Sequence, residues 1–168
     1  MARPRPEPLP PEERAREICL RALERRMHSR RELALKLRQK GVPEEVGEAV
    51  LDRLAEVGLV DDEAFARMYV TSRQRSRPRG HRGLLAELLR KGIERETAAA
   101  ILEELEEEED PVETARRAVA AKLRSLSGRP PRERKRKAMD FLVRRGFGYD
   151  VAARALEDLE EEGEEEAP

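Results

Sequence analysis

KGVPEEVGEAVLDRL at 40–54, KGIERETAAAILEEL at 91–105 and RGFGYDVAARALEDL at 145–159 lie over one another without a gap. Gly41, Gly92 and Gly146 set the register, 51 and 54 residues apart; each follows Lys or Arg and precedes an apolar residue, Val42, Ile93 or Phe147. Self-similarity at a fixed period indicates a repeat architecture, in which each unit buries part of its apolar face against a neighbour. One period here holds three helices. The glycine stands where a left-handed C-cap ends a helix, and the apolar residue after it closes over the last turn. The basic residues before the glycine suit the negative end of one helix dipole. Glu44 and Glu45, Glu96, or Asp150 suit the positive end of the next.

Apolar spacing continues the pattern. Val46, Val50, Leu51 and Leu54 fall on one helical stripe, matched by Thr97, Ile101, Leu102 and Leu105, then by Val151, Ala155, Leu156 and Leu159. Ser29 with Glu32 reads as a capping box. Asp110, Pro111 and Glu113 supply a cap, a first-turn proline and a reciprocal acid, and Asp61, Asp62 and Glu63 open another helix. Helices are predicted at 12–27, 30–39, 43–57, 62–75, 80–90, 94–108, 111–125, 131–144 and 149–162. The fold class is all-α, three tandem three-helix repeats. The expected divisions are a flexible N-terminal segment at 1–11, repeats at 12–60, 61–109 and 110–162, and an acidic tail at 163–168.

Composition agrees. Charged residues make up 42% of the 168 residues and aromatics 3%, so small units with Leu, Val, Ile and Ala cores are favoured over a sheet. The single Cys19 excludes an internal disulfide, and no Cys or His cluster has zinc-ligand spacing. No apolar run approaches the roughly 20 residues of a membrane helix, and MARPRPEPLPPEER lacks a signal-peptide apolar region, so a cytoplasmic protein is expected.

Charge alternates in step with the repeat. Residues 21–40 hold eight Lys or Arg and two acids, 72–92 seven and one, and 129–145 eight and two. Residues 44–63 hold eight acids and one Arg, and 94–110 and 149–168 each hold nine and one. Solvated helix faces and dipole complementarity explain part of this. In SRQRSRPRGHRG, however, Arg73, Arg75, Arg77, Arg79 and Arg82 crowd a Pro- and Gly-broken connection, where neither packing nor capping is expected to need them. Such clusters await phosphates or carboxylates.

The run VDDEAFARMYVTSRQRSRPRGHRGLLAELLRKGI at 60–93 resembles the central signature of RecX proteins. SRRELALKLRQKG at 29–41 and DFLVRRGFGYDVAARAL at 140–156 resemble the family's first-repeat and closing segments. The resemblance covers residues 12–162 almost entirely. It implies an elongated, curved helical array that lies along the groove of the RecA recombinase filament on DNA. There it inhibits strand exchange, ATP hydrolysis and coprotease action. The partner-binding residues expected for filament or DNA are Arg73, Arg75, Arg77, Arg79, Arg82, Arg90 and Lys91, with Arg30, Arg31, Lys36 and Lys40, and with Arg144 and Arg145. Two departures stand out. Gly83 occupies a place where the family usually carries a basic or larger residue, which is expected to loosen the start of that helix. The acidic end EDLEEEGEEEAP is more extreme than the family requires, and from Glu160 onward it is expected to be mobile and dispensable for folding.

Other functions find little support. His28 and His81 lie far apart and read as surface or cap residues. There is no Gly-rich phosphate loop or nucleophile elbow, and runs such as EELEEEED read as solvated faces, so neither catalysis nor a metal or cofactor is expected. A helix-turn-helix DNA reader needs a basic recognition helix, whereas the helices after the glycine turns are acidic. Direct DNA binding through the basic helices and linkers is the alternative function, expected to be weak, nonspecific and salt-sensitive beside filament binding. Phe65, Tyr69, Phe141, Phe147 and Tyr149 read as core or turn anchors rather than base platforms. Repeats that contact only neighbours stack in a line, so a monomer longer than a sphere of its mass is expected. Small-angle scattering checks this, and a compact globular profile contradicts it.

Overall fold

The structure is a computed structural model that describes residues 9–165, with side chains through Glu157. The described residues are helical and contain no strand. The helices are α1 (Pro11–Leu23), α2 (Arg30–Gln39), α3 (Glu44–Glu56), α4 (Asp62–Ser76), α5 (His81–Arg90), α6 (Arg95–Glu108), α7 (Pro111–Ser125), α8 (Pro131–Arg144) and α9 (Tyr149–Glu165). They form three tandem three-helix modules. None is long and apolar enough to cross a membrane. The chain divides into two compact units at Phe65 and Ala66.

Each expected glycine turn is a Schellman motif. At Gly41, Gly92 and Gly146 φ is 73°, 84° and 86°, the left-handed region that a Cβ disfavours. The amides of Val42, Ile93 and Phe147 reach back to the carbonyls of Leu37, Leu88 and Leu142 at 3.1, 3.0 and 3.1 Å. The glycine amides bond Arg38, Leu89 and Val143. Both members of each apolar pair, Val42 with Leu37, Ile93 with Leu88 and Phe147 with Leu142, are buried. Gly58 makes the same turn after α3, with Leu59 bonded to Leu54.

In the first unit Ala15, Cys19 and Ala22 of α1 meet Leu33 and Leu37 of α2 and Val50, Leu51 and Leu54 of α3. Small residues on α1 let the helices approach closely. Burial pushes the Cys19 thiol up to about 11, which leaves it a packing residue. The Ser29–Glu32 capping box forms as expected. The first helix ends four residues before its predicted limit, because the chain must leave it to bury His28 and place Ser29. His28 is buried rather than on the surface. Its Nδ1 lies 3.0 Å from the Arg26 carbonyl, and burial holds its pKa below the ordinary histidine value.

In the second unit Leu84, Leu88, Ile93, Ala98, Ile101 and Leu102 are buried in the middle module. Val112, Ala115 and Val119 of α7 pack with Ala138 and Leu142 of α8 and Phe147, Ala152, Ala155 and Leu156 of α9. Asp110 caps α7 through the Val112 amide at 2.9 Å, while Glu113 pairs with Arg116 instead of returning to the cap. Tyr149 is 72% exposed and anchors nothing, since Val151 and Ala152 take the inward positions. The last helix runs to Glu165, past its predicted end. The expected flexible N-terminal segment lies mostly outside the described residues, as does the far end of the acidic tail.

The start of α5 meets the α8–α9 turn backbone to backbone. The Gly80 amide donates to the Arg145 carbonyl at 3.1 Å, and a Cβ on Gly83 would stand 2.5 Å from that same oxygen. A Cβ on Gly80 or Gly146 would likewise strike opposing backbone. Gly83 therefore does not loosen its helix; it admits the neighbouring turn. Gly83→Ala is expected to cost about 1–3 kcal/mol, since neither backbone can yield cheaply. Gly128→Ala, with nothing near its Cβ, is expected to cost far less. Urea denaturation of the two variants checks the difference.

Candidate binding surface

The middle arginine run is better anchored than its composition suggests. Arg73 and Arg75 belong to α4, and only residues 77–80 connect it to α5. Buried Gln74 closes that connection, its Oε1 accepting from the Arg79 amide at 3.0 Å and its Nε2 donating to the Arg79 carbonyl at 3.2 Å.

Behind the run lies one buried carboxylate, Glu87 of α5, at 4% exposure. Arg73 Nε donates to its Oε2 at 2.9 Å, and the Tyr69 hydroxyl donates to the same oxygen at 2.8 Å. Arg79 Nε sits 2.8 Å from Oε1, close enough for charge pairing but not aligned for a hydrogen bond. Desolvation opposes ionisation of Glu87, yet the hydrogen bonds from Tyr69 and Arg73 and the charges of Arg79 and Arg73 outweigh it. The carboxyl is held below its ordinary range. Burial and the hydrogen bond to Glu87 raise the Tyr69 hydroxyl, and the hydrogen bond to Glu87 raises Arg73. Arg73 and Lys91 also lie over the Tyr69 ring, at 5.5 and 5.7 Å. Arg73 and Arg79 thus hold α4 to α5. This corrects the expectation that packing has no use for them. Farther along α4, Arg67 grips Glu104 of α6 with both terminal nitrogens.

Arg145 joins the cluster from the other side of the glycine joint. Its guanidinium lies 4.8 Å from the Phe141 ring centroid and is half-buried. Burial pulls its pKa down, and Arg79, Arg77 and Arg73 push the same way against Glu87. Arg75, Arg77, Arg82, Arg90 and Arg144 are exposed, and none pairs with an acid among the described residues. The joint therefore brings Arg145 within electrostatic reach of Arg73, Arg77 and Arg79. No spacing rule flags this, because the glycines that make it are separated by more than sixty residues.

The four basic residues of the first unit divide. Arg30 is committed internally, to Glu48 at 2.5 Å and Asp52 at 2.7 Å, with its amide donating to Asp62 at 2.8 Å. Arg31 and Lys40 are exposed and Lys36 is half-buried on α2, while the Lys40 carbonyl accepts from Arg14.

Three family descriptions match in chain order: RecX first three-helix domain at residues 15–54, second at 61–102 and third at 108–156. The chain belongs to the RecX family. Curated relatives named Regulatory protein RecX agree. That of Thermobifida fusca is 42% identical, covering 90% of this chain and 82% of its own length. That of Streptomyces coelicolor is 42% identical, covering 94% and 84%. Two solved RecX structures share the fold. One, from Lactobacillus salivarius, has a TM-score of 0.76 at 22% identity over 89% of this chain and 97% of its own. The other has 0.74 at 26% identity over 84% and 69%. RecX is a family of regulatory proteins, and the helical modules here are its three domains in order.

Glu87 has a depressed pKa, so it contributes stability above the unfolded carboxyl's value of about 4.3, and that contribution is lost as pH falls through the folded value. Glu87→Gln is expected to destabilise the protein by about 3 kcal/mol at neutral pH, since it strands two arginines. The gap between variant and parent is expected to close as pH falls through the carboxyl's depressed folded value. Urea denaturation across pH checks this; a gap independent of pH contradicts it.

Proposed function

We propose that this chain binds the RecA nucleoprotein filament and restrains its recombinase, ATP hydrolysis and coprotease activities. It acts by occupancy rather than catalysis, as a cytoplasmic monomer that uses no cofactor. The observation that carries this reading is the match of all three modules, in order, to a family of regulatory proteins. Arg75 and Arg82 supply the surface chemistry: exposed and free of internal acids, they meet acidic filament groups without disturbing the core. Arg73 and Arg79 are unsuited to that role, being tied to Glu87.

Replacing Arg75 and Arg82 together with Ala is expected to raise the concentration needed to inhibit RecA-driven ATP hydrolysis by about tenfold and to lower its salt sensitivity. The melting temperature is expected to hold. Inhibition equal to the parent's at every salt concentration places the contact elsewhere.

A further inference from the structure

A fourth glycine turn departs from the other three. Gly58 ends α3 with the same backbone bonds, its own amide donating to Ala55 and that of Leu59 to Leu54. At Gly41, Gly92 and Gly146 the preceding residue is Lys40, Lys91 or Arg145, which suits the negative end of a helix dipole, and the following apolar residue is at most 7% exposed. At Gly58 the preceding residues are Glu56 and Val57, and Val57 is 70% and Leu59 49% exposed. The turn lacks the cation of its counterparts and leaves uncovered the apolar residue that they bury. It also borders a groove. Leu20 of α1 and Val50 and Leu54 of α3 join Val57 and Leu59 in lining a space of about 710 Å³ open to solvent. Arg53 pairs with Glu12 at 3.1 Å, which sets the start of α1 beside the end of α3. Acids gather there: Glu13 on the rim and Glu56 at the turn are exposed and have no cation among the described residues, and Arg16 offsets one of them.

We propose that the groove between α1 and α3, bordered by the Val57–Gly58–Leu59 turn, is a docking site for an amphipathic helix of a protein partner, one that carries Lys or Arg beside its apolar stripe. Apolar anchors one and two turns apart on such a helix fit between α1 and α3 and cover Val57 and Leu59. Its cation takes the place, at the end of α3, that Lys40, Lys91 and Arg145 fill at the other turns, and it meets Glu13 and Glu56. An acidic helix would face those two carboxylates and the uncompensated end of α3, and is rejected. The groove lies wholly within the first unit and shares no residue with the Arg75 and Arg82 surface, so it stands or falls separately from the filament contact assigned to them.

The test titrates the full chain with a labelled helical peptide that carries leucines at i, i+3, i+4 and i+7 between lysines, with binding followed by amide chemical shifts and by anisotropy. Saturable shifts at Leu54, Gly58 and Leu59 are expected. Val57→Lys is the decisive variant, because it installs the base that the other turns carry. It is expected to weaken binding about tenfold while the melting temperature stays equal to or above the parent's, which a merely structural role for Val57 would not give. Leu59→Ser is expected to weaken binding as much. Leu35→Ser, at an exposed leucine of α2, is expected to change little. A peptide with glutamates in place of the lysines is expected not to shift the turn. Absence of saturable shifts at the turn overturns the proposal, as does unchanged binding in Val57→Lys or equal binding of the glutamate peptide. An equal loss in Leu35→Ser overturns it too, since that would mean indiscriminate apolar adhesion. Self-association of the parent that Val57→Lys removes would assign the groove to a second copy instead, and a gain in peptide affinity on deleting residues 1–8 would assign it to the chain's own N-terminal segment; either result overturns the proposal.

Discussion

The contact between the start of α5 and the α8–α9 turn governs the second unit. Two backbones approach there with no side chain between them, and Gly80, Gly83 and Gly146 each lack the Cβ that would keep them apart. The Gly80 hydrogen bond to Arg145 links the middle and third modules. Their apolar cores lie around Leu88 and Leu102 in one and around Leu142 and Leu156 in the other, and Leu84, Leu102 and Leu105 line a shared cleft with Phe147 and Val151. The same contact sets the electrostatics of the surface, because it brings Arg145 among arginines contributed by the α4–α5 connection.

The repeat-locked alternation of charge has two components. Much of it is consumed inside the modules, in pairs such as Arg30 with Glu48 and Asp52, Arg67 with Glu104, and Arg117 with Glu109. Exposed pairs of this kind contribute little stability individually, but they use up charge that would otherwise face a partner. The remainder is concentrated where arginines outnumber available acids. A run of basic residues in sequence is therefore a poor guide to a binding surface until its internal partners are known.

The helices were legible because local physics decides them. A glycine after a basic residue, followed by an apolar one, predicts the turn, and the structure shows the Schellman bonds at all three positions. At Ser29 the sequence pattern and the structure agree on the whole capping box, and at Asp110 they agree on the cap alone, because Glu113 has a nearer partner in Arg116. Long-range facts were not legible. Glu87 reads as an ordinary polar residue in LLAELLR, yet it is the buried counter-ion of the arginine run. Gly83 reads as a defect, yet it makes room for a turn that lies more than sixty residues later in the chain.

Glycine packing and charge crowding at this joint act as one device if Arg145 and Glu87 sense each other across it. A double-mutant cycle of Glu87→Gln and Arg145→Met, read by urea denaturation at neutral pH and low salt, measures that directly. Removing the carboxylate is predicted to cost less when Arg145 is already absent, because fewer like charges are then left unbalanced. Additive effects of the two substitutions would contradict the account.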